Sequence, residues 1–395
     1  MSEFRTIREL CSVVVDCPHS TPKWTANGKI VIRNKNIKHG KIDFSSPSYT
    51  DDEHFAQRIK RAKPQPGDII ITREAPIGDV GMIPENTECC LGQRMVLLRA
   101  NQSVCDNFYL LYSLQSLYVQ HQISWSEGTG TTVSNLRIPH LEQIQIPYLP
   151  LEQQAKISSV LRALEEKIEN NRRLNDNLEQ QAQSYFQELF VDNADPEWTT
   201  GTISDLGTVV GGSTPSKAKP EYYTESGIAW ITPKDLSNNK SKFVSHGEND
   251  ITELGLRNSS ASIMPEGTVL FSSRAPIGYI AIAAGEVTTN QGFKSVVPKP
   301  EIGTPFVYFF LKNTLPVIEG MASGSTFKEV SGSTMKNVPA VIPDAETLAK
   351  FSDFCAPIFA QQRILEEQNQ SLATLRDNLL PKLMSGEIDV SAVQL

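Results

Sequence analysis

No stretch of this 395-residue chain is apolar for long enough to cross a membrane: its longest apolar runs, such as Phe306 to Leu311, fall far short of the roughly 20 residues a span requires. The opening Met1-Ser2-Glu3-Phe4-Arg5 lacks the apolar core of a secretory signal, so a cytoplasmic location is the expectation. Cysteine is sparse. Five of the six (Cys11, Cys17, Cys89, Cys90, Cys105) lie in the first 105 residues, Cys355 stands apart, and none forms a C-x-x-C pair. Cys17 and His19 flank Pro18 without a second pair at zinc spacing, so no metal is expected and the thiols read as buried.

Catalytic signatures are missing as well. There is no G-x-x-x-x-G-K-[ST] phosphate loop, no N-P-P-Y or D-P-P-Y run to hold an adenine for methylation, and no H-E-x-x-H among the six histidines. Asp68 and Glu74 have no nuclease-specific spacing and read as surface or strand-end carboxylates. Catalysis within the chain is therefore not expected. With 39% hydrophobic and 21% charged residues, the composition is that of a globular protein, long enough for two or three domains.

The net charge of −8 argues at first against a nucleic-acid partner, because DNA affinity rests on Lys and Arg reaching phosphates. The average hides a gradient. Net charge is +1 over residues 1–150, −2 over 151–190, −4 over 191–345 and −3 over 346–395. Residues 23–63 hold ten basic and four acidic residues, with Trp24, Phe44, Tyr49 and Phe55 between them. Such a patch suits nucleic acid, and a solvated Lys-rich surface is the alternative.

The chain also repeats itself. GDIIITREAPIG (67–78) matches GTVLFSSRAPIG (267–278) at an offset of 200, and LEQIQIPYLPLEQQAKI (141–157) matches MKNVPAVIPDAETLAKF (335–351) at an offset of 194. Each half is thus a module of about 150 residues, rich in β-type runs and Gly/Pro turns, followed by one long helix. Residues 152–190 are nearly free of Gly and Pro and dense in helix formers. Steps of four and three pick out Ile157, Leu161, Leu164, Ile168, Asn171, Asn175, Leu178, Ala182, Tyr185 and Leu189, a heptad seam with an amide middle. The matching seam is Phe351, Cys355, Ile358, Gln362, Leu365, Asn369, Leu372, Arg376, Leu379 and Leu383. Two such helices most simply pair antiparallel, their polar layers setting register. Pro381 is expected to kink or end the second and Gly386 to stop it. The expected fold is α+β: two similar mixed α/β modules, each followed by a long helix, the helices forming an antiparallel coiled coil.

Several motifs carry a resemblance along nearly the whole chain. LPLEQQAKISSVL (149–161) and LRDNLLPKLMSGEIDV (375–390) are similar to the conserved helical segments of the specificity subunits of type I restriction-modification systems. GGSTPSKAKPEYY (211–223) with IAWITPKDLS (228–237) resembles the start of a target-recognition domain in that family, and HSTPKW (19–24) with CLGQRMVLLRA (90–100) is a divergent first copy. The resemblance implies target-recognition domains at 1–150 and 192–345, with conserved long helices at 151–191 and 346–395. Each domain would read one half of a split, asymmetric double-stranded DNA site. The helices would dock two adenine-N6 methyltransferase subunits, which restriction/translocase subunits would join. S-adenosylmethionine, ATP and Mg are then expected in the partners, and no cofactor in this chain.

A 39-residue helix spans about 58 Å, which caps the separation of the two modules near about 17 base pairs. Base edges would be read by Arg, Lys, Gln and Asn, and phosphates by hydroxyls and backbone amides. The first module offers Lys23, Arg33, Lys35, Lys38, Arg73 and Arg94; the second offers Thr214, Ser216, Lys217, Lys234, Arg274 and Lys294. Gly128-Thr129-Gly130-Thr131-Thr132 and Gly324-Ser325-Thr326 are candidate phosphate loops, with plain turns as the competing account. A duplicated coiled-coil adaptor that binds only protein is the rival to a DNA reader.

The charge balance generates the first prediction. The isolated chain binds DNA weakly and with little sequence preference, and adding the methyltransferase partner raises specific affinity, which then falls steeply with salt. Fluorescence anisotropy across a salt series checks this; tight specific binding by the lone chain at physiological salt contradicts it.

Overall fold

The computed structural model describes residues 3–38, 40–125, 135–324, 328–391 and 393. They form two units, the first made of residues 1–168 with 371–395 and the second of 169–370. Each contains mixed α/β structure and stretches of both long helices, Leu151–Gln187 and Ala345–Ser385.

In the first unit, β-branched runs build a four-stranded antiparallel sheet in the order Cys11–Asp16, Met95–Ala100, Ile69–Thr72, Val80–Met82. Its central strands are buried on both faces: Ile69, Ile70, Ile71, Val96 and Leu98 are fully enclosed, which is why they read as unbroken apolar runs rather than alternations. A second sheet places Lys29–Ile32 between Ser48–Thr50 and Cys89–Leu91. The ribbon of Glu3–Thr6 with Gln145–Tyr148 ties the start of the module to the segment just before the central helix.

The second unit repeats this plan. Its larger sheet runs Gly207–Gly211, Lys294–Pro298, Val269–Ser273, Ile277–Ala283, Phe243–Val244. The smaller holds Tyr223–Thr224, Asn249–Ile251, Ile228–Ile231 and Thr288–Thr289, and Thr199–Thr202 pairs with Pro339–Ile342. The repeat extends to backbone detail: Ala75 and Ala275, each followed by a cis proline, have φ of 45° and 49°.

The seam residues face inward, and the ends of the helices merge with the module cores. Ile157 and Leu161 join the first core with Leu383, Met384 and Val390; Leu379 packs against it from a half-buried position. Ile168 is buried, and Leu164 and Leu372 are half-buried. In the second unit Ala182, Phe351, Cys355 and Ile358 join the core around Phe306 and Phe309, with Leu178 packed on it. Leu365 is buried. The C-terminal helix does not end at Pro381: it runs on to Ser385 and stops before Gly386, whose φ is 75°. Proline removes one backbone donor, but burial of Leu383 and Met384 in the first core holds the last turn in place.

All six cysteines are buried and unbridged, and burial pushes the thiols of Cys11, Cys89 and Cys355 up to about 12. No helix among the described residues is long and apolar enough to cross a membrane.

The polar middle of the helices carries a buried ionic network within the second unit. Asn171 Nδ2 donates to Gln368 Oε1 at 3.3 Å, and Asn175 Nδ2 to Glu366 Oε1 at 3.2 Å. Glu179 receives Lys242 Nζ at 2.7 Å and Lys312 Nζ at 2.5 Å, and Lys242 also donates to Gln362 Oε1 at 2.8 Å. The Lys242 ammonium lies 3.5 Å from the centre of the Phe359 ring. Burial alone would raise the Glu179 carboxyl, but the two lysines hold it at about 2. Glu366 accepts the backbone N–H groups of Lys242 and Phe243, so the helix also fixes the strand Phe243–Val244.

Because the Glu179 carboxyl lies below its ordinary value of 4.5, its stabilisation is present above that pH and is lost as pH falls towards 2. Glu179→Gln leaves two cations without their counter-charge and is expected to cost roughly 3–5 kcal/mol while flattening the acid limb. Denaturant unfolding between pH 2 and 7 checks both; an unchanged acid limb in the variant assigns it elsewhere.

Candidate nucleic-acid interface

Four segments of the second module that lie far apart in sequence enclose one cleft of about 740 Å³, lined by Thr214, Lys217, Trp230, Lys234, Arg274 and Gln291 among others. The loop after Gly207–Gly211 lies directly on Thr288–Thr289 and the turn after it. A Cβ on Gly212 would stand 2.0 Å from the Asn290 carbonyl oxygen, so only glycine permits the approach. Trp230 Nε1 donates to the Ser213 carbonyl at 3.0 Å, Tyr223 Oη to that of Pro215 at 2.6 Å, and the two rings meet edge to face at 5.7 Å. One wall of the cleft is thereby rigid and apolar.

The lining continues into the short helix Pro233–Asn238, where Thr232 and Asp235 form a reciprocal cap. Asp235 also accepts the Glu248 backbone N–H at 2.9 Å, so this acid is spent on structure. Lys234, at the mouth, is exposed and meets Glu248 at 2.6 Å. Arg274 follows the strand Val269–Ser273 and meets Glu329 at 3.3 Å, with Lys294 3.7 Å from the same carboxylate. Thr214 Oγ1 bonds to Gln291 Oε1. Of the six residues expected here, Thr214, Lys217, Lys234 and Arg274 line the cleft; Lys294 adjoins it through Glu329, and Ser216 is exposed on the same loop.

The first module places its candidates differently. Lys35 and Lys38 are exposed around the turn Asn34–Asn36, Lys23 is exposed and 3.3 Å from Asp51, and the Arg33 guanidinium stands 5.0 Å over the Trp24 ring. Arg73 is internal. Its Nε donates to the Leu136 carbonyl at 2.9 Å, Nη1 to both oxygens of Asp16, and Nη2 to Asn135 Oδ1 at 3.2 Å. Arg94, at φ 64°, is exposed with Nε 3.2 Å from Glu74 Oε2. Within the basic stretch, Arg58 is buried on the carbonyls of Leu91, Ser20, Pro18 and Gly92, so part of that charge is structural.

The candidate loop Gly128–Thr132 lies outside the described residues, as do Ser325 and Thr326; Gly324 has φ 129°. The sequence reading missed Trp230, Asn290 and Gln291, together with the acids Glu74 and Glu329. Glu74 had a signal: it stands opposite Arg274 in the repeat.

The cleft can donate from ammonium, guanidinium and amide groups beside an apolar wall, a set suited to base edges and phosphates. Among the described residues no group of three His, Cys, Asp or Glu side chains is placed to hold a metal ion. Fold and site therefore define a duplicated binding-module protein whose modules share two long helices.

The model for the type I restriction modification DNA specificity domain matches residues 3–180 and again residues 196–375, and the chain belongs to that family. It is 39% identical over 191 residues to the type I restriction enzyme MjaIX specificity subunit of Methanocaldococcus jannaschii, covering 46% of this chain and 44% of that one. To the HindI specificity subunit of Haemophilus influenzae it is 28% identical over 194 residues, 48% of this chain and 42% of the relative. These matches span less than half the length of either relative. The fold is shared with the type I restriction-modification S subunit of M. genitalium, at a TM-score of 0.62 and 19% identity over 97% of this chain and 96% of that one.

The contrast between the two arginines generates a prediction. Arg73→Ala takes the guanidinium from Asp16, which keeps His19 2.9 Å away, frees the Leu136 carbonyl and Asn135 Oδ1, and is expected to cost about 3 kcal/mol of stability, whereas Arg94→Ala costs less than about 0.5 kcal/mol. Thermal and denaturant unfolding of both variants measure the difference; equal losses would deny Arg73 its internal role.

Proposed function

We propose that the chain is the DNA sequence-reading subunit of a type I restriction-modification complex. Each module reads one half of a bipartite, asymmetric site, the first in residues 1–150 and the second in 192–345. The long helices at 151–191 and 346–395 act as an antiparallel coiled coil that sets the unread spacer and docks two adenine-N6 methyltransferase subunits. Restriction/translocase subunits join that core. Methyl transfer and ATP-driven steps belong to those partners with their S-adenosylmethionine, ATP and Mg, and this chain contributes recognition without chemistry of its own.

The observation that carries this reading is the duplication itself: one family domain matches both halves, and each half pairs a module with a long helix. A single reader followed by a single helix needs no second copy, whereas a split site read by one chain needs two. Support for the coiled coil comes from the second unit, where bonds join 171 to 368 and 175 to 366, one number rising as the other falls. In the module surfaces, Lys217, Lys234 and Arg274 around a cleft, and exposed Arg33, Lys35, Lys38 and Arg94, suit major-groove edges and phosphates.

Co-expression with the cognate methyltransferase subunit, followed by sequencing of methylated adenine in host DNA, tests the reading. A single split motif is expected; methylation without sequence preference, or none, leaves the protein-only adaptor. Helix length gives a sharper expectation. Four residues inserted between Arg173 and Leu174, or near Gln368, add about 6 Å, and the spacer lengthens by about one or two base pairs with both half-words intact. The insertion is a stutter that local unwinding absorbs. An active variant with an unchanged spacer removes the helices from the role of ruler.

A further inference from the structure

Resting on the reading that both modules bind DNA, we propose that Arg94 and Arg274 are the guanine-reading residues of the first and second modules, and that Glu74 and Glu329 are the positioning carboxylates that aim them. The sequence repeat conceals this equivalence. With Ala75-Pro76 laid on Ala275-Pro276, Arg274 falls opposite Glu74. Arg73 N–H donates to the Arg94 carbonyl at 2.8 Å and Ser273 N–H to the Gly292 carbonyl at 2.7 Å, so Arg94 falls opposite Gly292. The arginine and the acid therefore come from different places in the two modules.

Backbone bonds fix the correspondence of the third position. Leu136 N–H donates to the Arg73 carbonyl and Val330 N–H to the Ser273 carbonyl, each at 3.0 Å, so Asn135 and Glu329, the residues just before, occupy matching places. In the first module Asn135 Nδ2 donates to Glu74 Oε1 at 2.7 Å, and Arg94 Nε lies 3.2 Å from Glu74 Oε2. In the second the acid comes from the matching place: Glu329 Oε2 accepts Arg274 Nη1 at 3.3 Å, and Glu329 Oε1 lies 3.7 Å from Lys294 Nζ. Both arrangements end in one guanidinium steadied by one carboxylate beside the same Ala-Pro turn.

Exposure separates reader from scaffold among four cations. The Arg73 side chain is 11% exposed with all three of its nitrogens bonded, and that of Lys294 is 15% exposed. Arg94 and Arg274 are 56% and 36% exposed. Among the described residues, Glu74 takes only Nε of Arg94 and Glu329 only Nη1 of Arg274, which leaves Nη1 with Nη2 on the first and Nε with Nη2 on the second. Two parallel N–H groups in one plane match guanine O6 and N7 in the major groove, and the carboxylate removes much of the freedom a long side chain would lose on binding. Arg94 at φ 64°, and Ala75 and Ala275 at 45° and 49°, hold a backbone conformation that L-residues adopt at a cost, as happens where a site must be aimed.

The full chain co-expressed with its methyltransferase subunit, and methylated adenine read across the host genome, provides the test. Arg274→Gln is expected to relax one G·C position in one half-word, with methylation at the substituted sites rising about tenfold to a hundredfold relative to wild type. Arg94→Gln relaxes one G·C position in the other half-word. Arg274→Lys keeps the charge and the contact with Glu329 but lacks the fork, and relaxes the same position as Arg274→Gln. Glu329→Gln and Glu74→Gln relax the same letters as their arginines, to a smaller extent, which a merely structural role would not do. Unchanged letters in active arginine variants, both arginines acting on one half-word, or a uniform fall at all sites with the motif intact would each overturn the proposal. Should Arg274→Gln or Arg94→Gln fail to accumulate, Arg274→Lys and an Arg94→Lys counterpart decide by the same letters. A wild-type split motif without guanine in one half-word overturns this proposal alone, whereas a wild type with no sequence-dependent methylation removes the DNA-reading function as well.

Discussion

Each unit closes its core with stretches of both long helices, and that sharing is the constraint on which the rest depends. The first unit's core takes in Ile157 and Leu161 from the central helix and Leu383 and Met384 from the C-terminal one. The second takes in Ala182 and Phe186 from the central helix and Phe351, Cys355 and Ile358 from the other. Apolar area removed from water drives both associations, and because the helix residues are part of the module cores, the helices cannot leave without opening them. Their stability therefore derives from tertiary burial rather than from propensity alone.

What burial does not supply is register, and the polar middle is suited to supply it. Apolar surfaces slide past one another at little cost, whereas Glu179 between Lys242 and Lys312 has one arrangement that satisfies it. The network draws in Gln362 and the aromatic faces of Tyr308 and Phe359, and Glu366 fastens a sheet strand to the helix. The amides at Asn171 and Asn175, the polar middle of the seam, belong to this layer.

The modules share a scaffold and differ in how charge is distributed over it. Strand ends and the Ala-Pro turn recur, while the cleft of the second module is walled by Trp230 and Tyr223 and the first presents Arg33 over Trp24. A duplicated frame with divergent side chains suits the proposed reading of two unlike half-sites: the frame sets where side chains stand, and the side chains set what they meet.

Much of this architecture was legible in the linear chain. The duplication, the Gly-poor helical stretches and the inward seam follow from spacing, because helical periodicity is a local property that the order of residues determines directly. The stop at Gly386 was readable for the same reason, and helix continuation through Pro381 was not, since it rests on Leu383 and Met384 finding a core formed by residues hundreds of positions away. The site was only half legible. Basic residues near the repeat motifs were visible as candidates, but nothing in their spacing separated Arg73, turned inward onto Asp16, from Arg94, turned outward on Glu74. Nor did it bring Thr214, Lys234, Arg274 and Gln291 to one cleft. Local order determines which elements form; which side chains meet depends on contacts between distant segments, and those exist only once the cores have closed.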